Sequence, residues 1–197
     1  CLQLQMFDFS DTSVYLEHAV AHICKDQEDN GFGFNASDAK QLERQLETKM
    51  LSIEAALQNI FPPIAEEQRY HKTSGKPLPV RYTHFNVGSR QQIAERLEKK
   101  GAVWKEKTPS GKPKVDESTL KKNLHVPESK TVLEYLLLQK RHSQVLSWIK
   151  AENKGRIYGR VKHIGAVTGR MAHSSPNLAQ VPAVYAEYGS DCRKLFI

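Results

Sequence analysis

Between Asn35 and Pro63 the apolar residues Leu42, Leu46, Met50, Ile53, Leu57 and Ile60 recur at steps of three and four. That period puts them on one face of an α-helix. Asn35-Ala36-Ser37-Asp38 offers a capped start with early negative charge. Phe61-Pro62-Pro63 is the stop, because proline lacks the amide N–H and clashes with the preceding turn. A second long helix is predicted from Pro127 to about Asn153, with Val132, Leu133, Leu136, Leu137, Val145, Leu146 and Ile149 packing inward and Lys130, Lys140, Arg141 and Lys150 pointing elsewhere.

Shorter signals fill the gaps. Val14, Val20, Ile23 and Cys24 predict a first helix over Ser13 to Asp29, ended by the glycines of GFGFN at 31–35. Residues 64–84 are polar, basic and proline-containing, a loop or loose hairpin. Ser89 to Lys100 reads as a short helix with Ile93 and Leu97 inward and Gly101 at its end, and Trp104 to Val115 as a charged turn around Ser110-Gly111-Lys112. After Lys154-Gly155 the texture changes to RIYGRVKHIGAVTG, rich in β-branched residues and glycine, which predicts short strands and turns. The expected class is mainly α with short β-strands at the C-terminal end, divided near residue 155.

Composition narrows the function. No apolar run approaches the ~18 residues a spanning helix needs, so neither a membrane segment nor a signal peptide fits and a cytoplasmic protein is expected. Three scattered cysteines, Cys1, Cys24 and Cys192, form neither a disulfide framework nor a zinc ribbon. An opening Cys1 suggests a processed product or a fragment. The net charge of +7 is uneven: residues 1–35 hold one Lys or Arg against six Asp or Glu, 36–155 hold 22 against 14, and 156–197 hold six against two. Such an asymmetry points to a polyanion, nucleic acid first.

Several motifs carry less than their spelling suggests. His18 and His22 lie four apart on one helical face, a metal-compatible spacing, but the order lacks the base of a zinc protease. GFGF has no preceding strand, third glycine or acidic ribose partner, so no dinucleotide site is expected. SGKP, at 74–77 and 110–113, lacks the rest of a phosphate loop and reads as a basic turn tip. Asn35-Ala36-Ser37 is a glycosylation acceptor only in a secreted chain.

The run TGRMAHSSPNLAQVP, 168–182, differs in kind. It contains no carboxylate, yet it brackets Asn177 and Gln180 between prolines shortly after Arg170, presenting amide and guanidinium donors to a ligand's acceptors.

AVTGRMAHSSPNLAQVP resembles the TGRxxxxxPNLxxxP motif of family A DNA polymerases, the DNA polymerase I family, most of all its bacteriophage branch. FNVGSRQQIAERL at 85–97 and KTPSGKPKVDESTL at 107–120 resemble the family's thumb elements. LEYLLLQKR at 133–141 resembles its thumb-to-palm helix, and DNGFGF at 29–34 the opening of the polymerase part. Together they cover about residues 15–197. The resemblance implies a right-hand polymerase fold, with residues 1–155 as helical thumb region and 156–197 as the start of the palm. It implies that Arg170, Asn177 and Gln180 approach the minor groove at the primer terminus, with Thr168 and His173 beside them. Ser89, Asn86, Lys107, Lys112, Lys140 and Arg141 would meet the DNA backbone.

Leu136 stands where cellular members carry an arginine, and His173 replaces their usual serine. The 23 residues from Pro62 to His84 are too few for the insertion that recruits thioredoxin in some phage enzymes, so that partner is not expected. The implied partners are primer-template DNA, an incoming dNTP in the complete enzyme, and the remaining palm and fingers, on a separate chain if the polymerase is split. Two Mg²⁺ ions would be held by palm aspartates outside these 197 residues, so no catalytic or metal-ligating residue is expected here and the chain alone should be inactive. The alternative is a stand-alone DNA-binding or accessory protein derived from a polymerase thumb.

Overall fold

Asn35 starts the long helix by accepting from the Asp38 amide at 3.1 Å while its own amide group donates to the Asp38 carboxylate at 2.8 Å. The reciprocal pair satisfies an otherwise orphaned N–H of the first turn. The computed structural model describes residues 10–197, which leaves Cys1 outside the described residues. The elements in chain order are α1 (Asp11–Asn30), β1 (Phe32–Gly33), α2 (Ala36–Ile60), β2 (Ile64–Ala65), β3 (Tyr82–Thr83), α3 (Arg90–Glu98), α4 (Glu117–Lys121) and α5 (Pro127–Ala151). There follow β4 (Glu152–Asn153), β5 (Arg156–Ile157), β6 (Arg160–Lys162), β7 (Ala172–Ser174), a 3₁₀ turn (Leu178–Gln180) and α6 (Gly189–Lys194). The chain is thus mainly helical with short strands. Among the described residues no helix is long and apolar enough to cross a membrane.

Two compact units result, one from the described residues up to Arg44 with Ser143–Ile197, the other from Gln45–His142. The second unit is built around Leu57, Phe61, Phe85, Ile93, Leu97, Leu120 and Val132, all at most 3% exposed. The stripe predicted on α2 supplies Leu57, with Met50 and Ile53 partly buried against the cluster. Phe61 and Phe85 meet with ring centroids 4.7 Å apart, and burying each aromatic side chain contributes about 2–3 kcal/mol. Asn123, only 2% exposed, accepts from the Val103 amide at 2.7 Å and donates to the carbonyls of Val103 and Thr119. That side chain ties Val103, just before the charged turn, to α4, an element absent from the sequence-based expectation.

In the first unit β1, β5 and β4 form an antiparallel sheet in the order β1-β5-β4, with Phe32 opposite Ile157 and Gly33 opposite Arg156. Gly33 is required by close approach: a Cβ there would lie 2.4 Å from the carbonyl oxygen of Ile197. This accounts for GFGF as sheet packing. Phe196 packs against Phe34 in a tilted contact and against Trp148 edge-on, at centroid distances of 5.4 and 5.3 Å. Cys24 and Cys192 are buried and lie outside any disulfide.

Some expectations need correction. Ile23 is 65% exposed, so α1 does not bury the whole predicted stripe. Arg141 does not point away from the packing: it is 8% exposed, because α5 places it between Leu138 and Val145 at steps of three and four. The end of the chain contains a helix, α6, where strands and turns alone are predicted. Tyr188 enters α6 in a left-handed conformation with no side-chain cap, so the usual sequence signature of a helix start is missing.

Candidate nucleic-acid interface

β6 and β7 form an antiparallel hairpin in which Arg160 faces Ser174, Val161 faces His173 and Lys162 faces Ala172. Its tip carries Thr168-Gly169-Arg170. Gly169 has φ of +74°, a conformation suited to a residue without Cβ, and its amide donates to the Ala166 carbonyl at 3.0 Å. The Arg170 carbonyl accepts from both Gly165 and Ala166 at 3.1 Å, which pins the backbone while the side chain is exposed. Thr168 is exposed as well. His173 is half-buried and lines a cleft with Gln27, Phe32, Gly159, Pro176 and Leu178. At about 170 Å³ that cleft is smaller than the ~300 Å³ or more of a small-molecule pocket.

From β7 the chain passes directly into the PNLAQVP segment. Asn177 is half-buried, not exposed as the sequence suggests, because its Oδ1 accepts from the Ala179 amide at 3.2 Å and caps the 3₁₀ turn. Its carboxamide nitrogen has no partner among the described residues. Gln180 is exposed, and its carbonyl accepts from Gln144 of α5 at 3.1 Å. Arg193 of α6 donates from Nε to the Pro182 carbonyl at 2.8 Å and fixes the far end of the segment. Sequence reasoning missed Gln144 and Arg193, since nothing local marks a residue that reaches a carbonyl 11 or 36 positions away.

In the other unit, Thr108 donates from its amide to the Lys112 carbonyl and Gly111 to that of Thr108, both at 2.8 Å, and this closed turn exposes Lys107 and Lys112. Lys112 Nζ donates to the Gln91 side chain at 3.3 Å. Ser89 caps α3, accepting from the Gln92 amide, and is half-buried. Asn86 is exposed and accepts from Gly88 at 2.8 Å. Lys140 is exposed on α5, one position before the buried Arg141. Leu136 packs partly buried against the core, where an arginine head would need a way out to water.

His18 and His22 are exposed, and among the described residues no group of three or more His, Cys, Asp or Glu side chains comes together to hold a metal ion.

Residues 40–197 match the family model of DNA polymerase family A, and the chain belongs to that family. It is 29% identical over 243 residues to the DNA-directed DNA polymerase of Escherichia phage T7, an alignment covering 93% of this chain and 34% of the phage enzyme. The polymerase of Enterobacteria phage T3 aligns with the same identity and coverage. DNA polymerase I of Aquifex aeolicus (strain VF5) is 32% identical over 130 residues, 62% of this chain and 23% of that enzyme. A solved structure, the POL domain of Pol1 from M. smegmatis in complex with DNA primer-template and dNTP, superposes with a TM-score of 0.72 at 19% identity, over 88% of this chain and 28% of that one. That likeness is one of fold. The chain spans about a third of the length of the phage polymerases it matches.

Proposed function

We propose that this chain supplies the part of a template-directed DNA polymerase that grips primer-template DNA and tests the primer terminus. In this reading residues 1–155 act as the thumb region and 156–197 open the palm. The observation that carries it is the exposed Arg170 side chain on a backbone pinned by two hydrogen bonds, at the tip of a hairpin that leads straight into the segment bearing Asn177 and Gln180.

Every correct base pair displays purine N3 or pyrimidine O2 in the minor groove at similar positions, so a donor there tests pair geometry without reading sequence. A mismatch moves an acceptor and strands a desolvated donor at a cost of roughly 1–3 kcal/mol. Arg170 is the principal donor. The free carboxamide nitrogen of Asn177 and the Gln180 side chain add to it, with Thr168 and His173 alongside. Lys107, Lys112 and Lys140 supply sequence-independent, salt-sensitive affinity for phosphates, and Ser89 and Asn86 shape the loop that faces the backbone. Arg141, being buried, contributes long-range potential in place of a direct contact.

In this reading the incoming dNTP and the two Mg²⁺ ions are held by palm and finger residues other than those of the grip. Primer extension with Mg²⁺ and four dNTPs tests the assignment, using this chain, a palm-fingers polypeptide, and the two mixed. Extension in the mixture alone is the expected result. Extension by this chain alone would overturn the division of labour, and duplex binding with no preference for a recessed end would favour a non-catalytic DNA-binding protein.

A further inference from the structure

The PNLAQVP segment, residues 176–182, belongs to no strand and contains only the single 3₁₀ turn Leu178–Gln180. Its internal backbone bonds are long: Gln180 donates to the Asn177 carbonyl at 3.5 Å and Val181 to that of Leu178 at 3.3 Å. Bonds of that length hold a backbone weakly. The shorter ones come from outside the segment. Gln144 of α5 donates to the Gln180 carbonyl at 3.1 Å, and Arg193 of α6 donates from Nε to the Pro182 carbonyl at 2.8 Å. Gln180 is thereby held at its own carbonyl and at the carbonyl two residues on, while its side chain stays exposed.

Arg193 works from a firm base. Cys192 beside it is fully buried and Leu195 is 2% exposed, and the Leu195 carbonyl accepts from the Asn35 amide at 2.8 Å. Gly189 at the start of α6 donates to Ala186 at 2.7 Å, and Ala186 to Ala183 at 2.9 Å, so α6 follows directly from the segment that it braces. Fold stability does not call for an arginine at 193. The side chain is exposed and forms no ion pair among the described residues, and one hydrogen bond from an exposed group contributes modestly to folding. What Nε adds is a fixed position for the Pro182 carbonyl.

We propose that Arg193 is a positioning residue for the primer terminus: by anchoring the Pro182 carbonyl it sets how far the Gln180 carboxamide reaches toward the minor-groove acceptors. The proposal rests on the primer-terminus reading and adds to it a residue that touches no DNA. A donor displaced by about 1 Å loses most of its bond, so a brace outside the interface governs discrimination at it. The role requires a donor where Nε lies and does not require positive charge.

The test is fluorescence anisotropy of the full chain on fluorescein-labelled primer-template DNA whose recessed 3′ end is matched or mismatched, with a blunt duplex as control. Arg193→Gln removes the charge but keeps an N–H donor at the same number of bonds from the backbone as Nε. Arg193→Met keeps the length and removes the donor. The parent chain should prefer the matched end by roughly 10-fold, the worth of one stranded donor. Arg193→Met should cut that preference about three-fold or more while changing affinity for blunt duplex less than about two-fold, and Arg193→Gln should retain it. Beside Gln180→Ala, adding Arg193→Met should change the preference less than about two-fold, because the two act through one contact. Matching thermal unfolding of the two Arg193 variants will show that the fold is intact. Equal losses for both variants on all three DNAs would make Arg193 a direct phosphate contact and overturn the proposal. So would a full further loss beside Gln180→Ala, or a preference that Arg193→Met leaves intact. A parent chain with no preference for the matched end would instead overturn the primer-terminus reading, and the proposal with it.

Discussion

Arg156 donates from Nε to the Asn30 carbonyl at 2.6 Å and from Nη2 to the Gly31 carbonyl at 3.1 Å. The last turn of α1 contains no basic residue, so its outward-pointing carbonyls receive their cation from β5, 126 positions along the chain. Arg156→Ala should lower stability by about 1–2 kcal/mol, combining the lost hydrogen bonds with the uncompensated helix terminus. Arg156→Lys should recover less than half of this, because an ammonium on a flexible stem lacks the planar, preorganised fork that meets both carbonyls. Urea unfolding checks it, and an unchanged midpoint would show that β1–β5 pairing alone secures the junction.

Asn123 makes three hydrogen bonds to backbone at 2% exposure. Asn123→Leu nearly conserves volume but leaves an amide and two carbonyls without their partner, and should cost about 3 kcal/mol. The loss should be accompanied by faster amide exchange at Val103, which a purely steric effect elsewhere in the core would not produce.

The capping box of α4 gives a pH dependence. Thr119 donates its amide to Asp116 at 2.9 Å, Ser118 its hydroxyl at 2.8 Å, and Lys114 sits 3.1 Å away. The Thr119 amide first, then the Ser118 hydroxyl, hold this carboxyl well below its ordinary value of 3.8. A depressed value means the contribution is present above about pH 4 and lost as pH falls further. Asp116→Asn, which can still cap, should flatten the acid limb of stability between pH 4 and 2. Asp116→Ala should cost about 1 kcal/mol at neutral pH, the usual value of a helix cap.

Arg170→Ala should impair primer extension more than DNA binding in the assembled polymerase, by roughly 10-fold or more in rate if one desolvated minor-groove donor is lost. Removing Lys107 and Lys112 together should do the reverse, lowering affinity and reducing the salt slope by about 1.8 on duplex. Equal losses in extension and binding for Arg170→Ala would remove its assigned role.

What the amino-acid sequence determined by itself is whatever short-range physics sets. The period of Leu42, Leu46, Met50 and Ile53 makes α2 a helix, Asn35 and Pro62 bound it, Pro127 opens α5, and the TGR and PNLAQVP runs are recognisable as strings. Tertiary structure decided which way side chains face and which polar groups are already spent. Arg141 is buried because α5 aligns it with Leu138 and Val145, though its charge alone suggested solvent. Asn177 and Ser89 give their oxygens to caps, leaving less of each for DNA. The pairing of Ile64 with Thr83 and of Ala65 with Tyr82 exists only once two strands nearly twenty residues apart have met. Periodicity and capping act within a turn or two of chain, whereas burial and pairing are settled by partners distant in sequence.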